Sequence, residues 1–153
     1  LPFELPEVIG CGAELKNTFC LTKNNYAFVS HHIGDLENFE TLHAYESGIK
    51  HYQNLFRVTP EIVAIDTHPD YLSTKFGLDY ASSRDIPVRQ IQHHHAHLAS
   101  CLADNSWDSP EPVIGCIFDG TGYGEDGHIW GGEFLLGSYT GFSRYSVTET
   151  MAP

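Results

Sequence analysis

The sequence predicts an α/β protein, with one lobe built on a mixed sheet in the order βββαβαβα followed by the first strands of a second, similar lobe. Three observations carry that prediction. Val8-Ile9-Gly10-Cys11 and Val113-Ile114-Gly115-Cys116 are the same strand-like tetrapeptide, and each opens a set of three strands with a glycine-bearing first turn. Glu61 to Asp66 is an apolar run with the length of a strand covered on both faces. Stretches with apolar residues at helical spacing separate the later strands. The shared order of elements in the two halves weighs more than the four identical residues.

Taken in order, Val8 to Cys11, Thr18 to Thr22 and Tyr26 to Ser30 read as three antiparallel strands. Asn24-Asn25 tolerates left-handed backbone and joins the last two. Asp35 is placed to cap a long helix with Leu36, Phe39, Leu42, Ile49, Tyr52 and Phe56 on its apolar stripe. That helix must stop before Pro60, because the residue preceding proline is pushed out of the helical region. After the strand ending at Asp66, a second helix runs through Phe76 and Tyr80, with Asp70 as its expected cap. Pro87 to Ile91 is a short strand that delivers the chain to a third helix from Gln92 to Ala103. Residues 106–112 are polar, proline-bearing and turn-prone, which makes them an interlobe linker.

Beyond the linker, Val113 to Phe118 leads into Asp119-Gly120-Thr121-Gly122, read as a tight strand-to-strand turn. His128 to Leu136 returns with a glycine bulge at Gly131-Gly132, and Phe142 to Val147 adds a third strand. Residues 1–105 are thus a first lobe and 113–153 the start of a second, without its helices and with one sheet face left uncovered. The expected core of the first lobe comprises Phe19, Phe28, Leu42, Ile62, Val63, Ile65, Ile91, Leu98 and Leu102. The chain opens on Leu1 rather than Met, which points to a processed end or an excised piece.

Composition narrows the function. Eight Lys and Arg against twenty Asp and Glu give a net charge of −12, which repels phosphate backbones and argues against a nucleic-acid partner. The four cysteines form no C-x-x-C pair and sit in apolar or small-residue settings, as buried free thiols do, which fits a reducing, cytoplasmic compartment. No apolar stretch is long enough to cross a bilayer, and no basic segment opens the chain.

The chemistry concentrates in Gln92-His93-His94-His95-Ala96-His97, at the start of the third helix. His93 and His97 are four apart, hence on one helical face, and two imidazoles so placed can hold one divalent metal. His94 and His95 are directed elsewhere. The bland alternative is a set of surface or capping histidines. Asp119 ends an apolar strand and would offer a carboxylate to the same ion. Two histidines and one carboxylate with an open position suit Zn²⁺ or Fe²⁺.

Gly120, Thr121 and Gly122 would let backbone amides approach an anion, although an ordinary hairpin needs the same glycines. Lys16 and Asn17, in the matching turn of the first lobe, could reach a phosphate, or Lys16 is simply solvated. Asp66 and His68, with Asp70 and Tyr71, cluster at a strand end and could orient a nucleotide or transfer a proton, or merely cap the helix. Protease chemistry is not indicated, since His93 is followed by His94 and H-E-x-x-H is absent.

Five blocks together resemble one family. They are Cys11-Gly12-Ala13-Glu14-Leu15-Lys16-Asn17-Thr18, His32-Ile33-Gly34-Asp35-Leu36-Glu37-Asn38, His68-Pro69-Asp70-Tyr71, Gln92-His93-His94-His95-Ala96-His97 and Phe118-Asp119-Gly120-Thr121-Gly122-Tyr123-Gly124. In this order and over nearly the whole chain they closely resemble the HypF carbamoyltransferases of [NiFe]-hydrogenase maturation. The resemblance implies a piece of that family's universal ATPase-like carbamoyl-transfer domain, in the actin, hexokinase and Hsp70 (ribonuclease H-like) fold group.

It further implies that carbamoyl phosphate and ATP, handled by upstream domains, give carbamoyl-adenylate, whose carbamoyl group passes to the C-terminal cysteine of the partner HypE. His93 and His97 match the family's metal-binding H-x-x-x-H, Asp119 is the further ligand, and one more aspartate is expected in the second half. The resemblance implies no activity for these residues by themselves. Three other readings stay open at this level: a small-molecule O-carbamoyltransferase, the tRNA-modifying relative, which the net charge argues against, and a non-catalytic nucleotide- and metal-binding module.

Overall fold

A computed structural model describes residues 1–147 and 150–151. The second-lobe assignment also covers 148–149 and 152–153, which lie outside the described residues. The chain forms two compact units, residues 3–90 and residues 91–153 together with 1–2.

In the first unit, β1 (Val8–Gly10), β2 (Cys20–Lys23) and β3 (Tyr26–Val29) form the expected antiparallel meander. α1 (Phe39–Phe56) then crosses over, and β4 (Ile62–Asp66) returns parallel to β1, with Val8 opposite Ile62 and Gly10 opposite Ala64. A parallel return requires such a crossover, because a tight turn can only reverse the chain. α2 (Leu72–Ser82) leads to β5 (Val88–Ile91), which completes a mixed sheet in the order β3-β2-β1-β4-β5. The predicted order βββαβαβα is the observed one once α3 (His93–Asp104) is added.

The helix ends differ from the sequence expectation, for tertiary reasons. Asp35 does not cap α1, because its Oδ1 accepts the Lys16 amide at 2.8 Å. Asn38 caps instead, accepting the Thr41 amide at 2.9 Å, so the helix begins three residues later and leaves Phe39 78% exposed. Its C-terminus closes on Arg57 in the left-handed region (φ 52°), well before Pro60. Asp70 does not cap α2 either. The first amide of that helix, on Leu72, donates to the Glu14 carboxylate at 2.6 Å, so the turn after β1 caps a helix distant in sequence.

Phe19, Val63 and Ile65 are buried as expected, joined by Ile9, Leu21, Tyr45 and Ile49, with Phe28 and Leu42 packed at the margin. Phe19 meets Tyr45 and Tyr52 edge-on at 5.9 and 5.1 Å, and Phe28 stacks on Phe56 at 4.0 Å. Each such ring, once buried, contributes roughly 1.5–3 kcal/mol. The Tyr45 hydroxyl donates to the Cys11 carbonyl at 2.9 Å and ties α1 to the end of β1.

Leu98 and Leu102 do not belong to this core. They pack with Ile117 and Leu135 of the second unit. There β6 (Val113–Tyr123), β7 (Ile129–Ser138) and β8 (Gly141–Val147) form an antiparallel sheet, and α3 lies against β6 and β7. An amphipathic stripe states that a helix face must be covered, not by which sheet. Strand alternation sends Ile117 toward α3 and leaves Ile114, Phe118 and Tyr145 73–80% exposed on the other side, the uncovered face expected of the second sheet.

The bulge expected at Gly131-Gly132 falls on the facing strand instead: Gly132 pairs with Phe118 and Trp130 with Gly122, so Gly131 stands opposite residues 119–121 of β6. A second irregularity lies on β8, where Phe134 pairs with Ser146 and Leu135 with Arg144, leaving Tyr145 as the extra residue.

All four cysteines are free, but only Cys11 is buried, while Cys101 and Cys116 are exposed, contrary to the expectation that all four are interior. Burial pushes the Cys11 thiol up to about 12 and the Cys20 thiol to about 11. Since the thiolate is the reacting form, iodoacetamide at neutral pH should label Cys101 and Cys116 and spare Cys11 and Cys20 until the chain is unfolded. Peptide mass mapping reads the result, and labelling of Cys11 in the native protein would contradict the packing of β1.

Candidate metal centre

β5 ends at Ile91 and Gln92 caps α3 at both ends of its amide. Its Oε1 accepts the His95 amide at 2.9 Å, and its Nε2 donates to the Tyr123 carbonyl at 3.2 Å, which fixes the helix N-terminus to the end of β6. The 3.6-residue period then brings the His93 and His97 rings to 4.9 Å between centroids. Opposite them, β6 loses its regular pairing between Phe118 and Gly122. Such an irregularity redirects side chains, and here the Asp119 carboxylate meets the helix, with Oδ2 3.2 Å from His93 Nε2. One ligand atom each from His93, His97 and Asp119 lies within 4.8 Å of the others. The donor set fits a zinc or ferrous ion with open positions, and the buried Asp119 Oδ2 has no hydrogen-bond partner among the described residues.

Asp119-Gly120-Thr121-Gly122 is not the hairpin turn expected of it. The turn lies further on, where the Gly124 amide donates to the His128 carbonyl at 2.8 Å and Gly127 adopts φ +78°. Neither Gly120 nor Gly122 has positive φ, so glycine serves another need at 122. A Cβ there would run into the His94 imidazole. The Gly120 amide donates to the Asp119 Oδ1 at 2.8 Å and steadies the carboxylate. The Thr121 side chain lies outside the described residues.

The other expected site residues belong to the first unit. Lys16 is exposed with left-handed backbone (φ 50°). Asn17 is 1% exposed, and its Nδ2 donates to the carbonyls of Cys11 (3.1 Å) and Ala13, so it shapes the turn after β1 from inside. At the end of β4, Asp66 accepts the His68 amide at 2.8 Å, His68 Nδ1 accepts the Asp70 amide at 3.2 Å, and the His68 ring stacks on Tyr71 at 4.1 Å.

Two features escape sequence reasoning. His94 is fully buried, against the expectation that it is directed away from the site, and lies 3.7 Å from Asp119 through Nε2. Burial lowers its pKa despite the opposing pull of Asp119. Glu133, also fully buried, receives both Nε and Nη2 of Arg144 at 2.6 Å, and Arg144 Nη1 reaches Asp126 at 3.1 Å. Arg144 also lies over the Trp130 ring at 4.1 Å, and Trp130 Nε1 donates to Asp126 at 2.9 Å. This network pins the β6–β7 turn to β8. Charge-pattern reading of β7 and β8, with one acidic position in phase with Leu135 and one arginine on the next strand, is the signal that could have found it.

A mixed sheet of this order, followed by a glycine-rich strand facing a histidine-bearing helix, defines a protein of the actin, hexokinase and Hsp70 fold group. The chain belongs to the HypF family. The family model described as "HypF Kae1-like domain" matches residues 4–104, and "Carbamoyltransferase, Kae1-like Domain, second subdomain" matches 115–152. The chain is 45% identical over 131 residues to the carbamoyltransferase HypF2 of Cupriavidus necator, which covers 86% of this chain and 16% of that protein. Among solved structures, full-length HypF in its phosphate- and nucleotide-bound form superposes with a TM-score of 0.84 at 49% identity, covering 93% of this chain and 22% of that one. HypF of T. kodakarensis gives 0.89 at 36% identity, covering 97% and 19%. The chain therefore spans about a fifth of the length of these relatives. Among the described residues, no helix is long and apolar enough to cross a membrane.

Proposed function

We propose that this chain is part of a carbamoyltransferase that passes a carbamoyl group from carbamoyl-adenylate, made from carbamoyl phosphate and ATP, to the C-terminal cysteine of a HypE-like acceptor in the cytoplasm. The observation that carries the reading is the convergence of His93, His97 and Asp119 within 4.8 Å on a chain of the HypF family. In the transfer, the cysteine sulfur bonds to the carbamoyl carbon, the carbon–oxygen bond to AMP breaks, and the thiol proton is released.

His93, His97 and Asp119 would hold a divalent ion, which supplies Lewis acidity toward a carbamoyl or phosphoryl oxygen. Asp119 is held for this by the Gly120 amide, and the helix carrying the histidines is held by Gln92. Lys16 and Asn17 in the turn after β1, and the backbone of Thr121 and Gly122, are assigned to the nucleotide and its phosphates, while the Gly120 amide is engaged by Asp119. Asn17 acts there by fixing the turn. His68 Nδ1 accepts an amide proton, so in the neutral ring Nε2 carries the hydrogen and acts as a donor to phosphate oxygen rather than as a base. Asp66, which orients His68 through its amide, is assigned to the proton released by the thiol.

Incubating the intact protein with carbamoyl phosphate, ATP and the acceptor, followed by mass analysis of the acceptor's C-terminal peptide, tests the reading. Wild type should add one carbamoyl group. His93→Ala should abolish the addition while carbamoyl phosphate-dependent ATP cleavage continues. An unmodified acceptor beside a carbamoylated small alcohol would favour an O-carbamoyltransferase, and full transfer by His93→Ala would sink the role given to the metal.

A further inference from the structure

We infer that His94 is a positioning residue of the metal centre, its Nε2–H hydrogen bonding the metal-facing oxygen of Asp119 when the ion is bound. The inference rests on the metal-binding reading of His93, His97 and Asp119.

Buried polar atoms in folded proteins are nearly always satisfied, and leaving one unsatisfied costs about 1–3 kcal/mol. His94 is 0% exposed, and neither of its ring nitrogens has a hydrogen-bond partner among the described residues. Among these residues, Asp119 Oδ2 is a second atom without a hydrogen bond; His94 Nε2 stands 3.7 Å from it on one side and the expected ligand nitrogen, His93 Nε2, 3.2 Å on the other. The 3.7 Å separation from His94 is too long for a hydrogen bond and short enough that a carboxylate shift of under about 1 Å would close it. One carboxylate oxygen has lone pairs for both a cation and an N–H donor, and ligating carboxylates in metal sites are commonly held in this way.

The surroundings confine the imidazole to this position. Gly122 of β6 has no side chain where Nε2 sits, and any Cβ would displace the ring. The Trp130 ring lies 6.0 Å away, itself held by Asp126 and by Arg144. Helical geometry separates His94 from the face shared by His93 and His97, so the three-histidine cluster divides its labour. Two histidines meet the ion, and the one between them meets the carboxylate.

Zinc titration of the metal-stripped intact protein by calorimetry, paired with thermal midpoints of the stripped forms, provides the test. His94→Leu should weaken zinc binding about 10–100-fold. His94→Gln, whose amide nitrogen reaches nearly as far as Nε2, should restore it to within about threefold. Gly122→Ala, which moves the ring without touching a ligand, should weaken zinc binding in the same direction. Wild-type affinity in His94→Leu with a lowered thermal midpoint would show His94 to be packing alone and overturn the inference. Equal loss in His94→Leu and His94→Gln would overturn it as well. A wild-type protein that takes up no zinc would instead overturn the metal reading beneath it.

Discussion

Replacing Arg144 with alanine is expected to lower the free energy of unfolding by about 3–5 kcal/mol, the range found when one partner of a buried ion pair is removed. The cost arises on the other side of the pair. Glu133 is fully buried and both its carboxylate oxygens accept from Arg144 at 2.6 Å, so its charge would be left in the protein interior without a counter-ion. Those same bonds raise the Arg144 pKa, which keeps the guanidinium charged throughout the accessible range. Because the pair itself is close to balanced against its desolvation, Glu133→Leu combined with Arg144→Leu should recover most of the loss. Urea denaturation followed by tryptophan fluorescence measures both, since Trp130 lies beneath the guanidinium. A single-variant loss under about 1 kcal/mol would place Glu133 in contact with solvent.

The pair also marks where sequence reading stops. The order of strands and helices was legible because each element carries its own period, from the β1–β3 meander to the apolar run at Ile62–Asp66. Helix caps were not. Asp35 and Asp70 have the residue type of a cap, yet the amide of Lys16 claims the first, and Glu14 from a distant turn serves the helix that follows the second. The allegiance of α3 was equally hidden, since Leu98 and Leu102 state only that some apolar surface must cover them. At the candidate centre, the four-residue spacing of His93 and His97 was legible, whereas Asp119, read as a strand end, lies within β6 and meets the histidines because pairing is irregular between Phe118 and Gly122. The glycine at 122 was legible as a requirement and misread in kind, because it makes room for an imidazole and not for a turn. His94 could not be read at all, because its burial depends on where β6 departs from regular pairing.

Loss of bound metal in the ligand variants is the largest functional effect expected. Among the described residues two imidazoles and one carboxylate converge as donors, and removing any one should lower metal affinity by at least about 100-fold. His95→Ala is the matched control, because His95 Nε2 lies 2.8 Å from the Ser138 carbonyl and its ring packs on Phe142, away from the three ligands. The fold should survive in each variant, since His93 and Asp119 are only half-buried and His97 is exposed.

Metal content of the purified intact protein, by elemental analysis across wild type, His93→Ala, His97→Ala, Asp119→Ala and His95→Ala, tests the account most directly. About one zinc or iron per chain at this centre is predicted in wild type and His95→Ala, and none there in the three ligand variants. Equal metal content in all five proteins would mean that His93, His97 and Asp119 do not form the site.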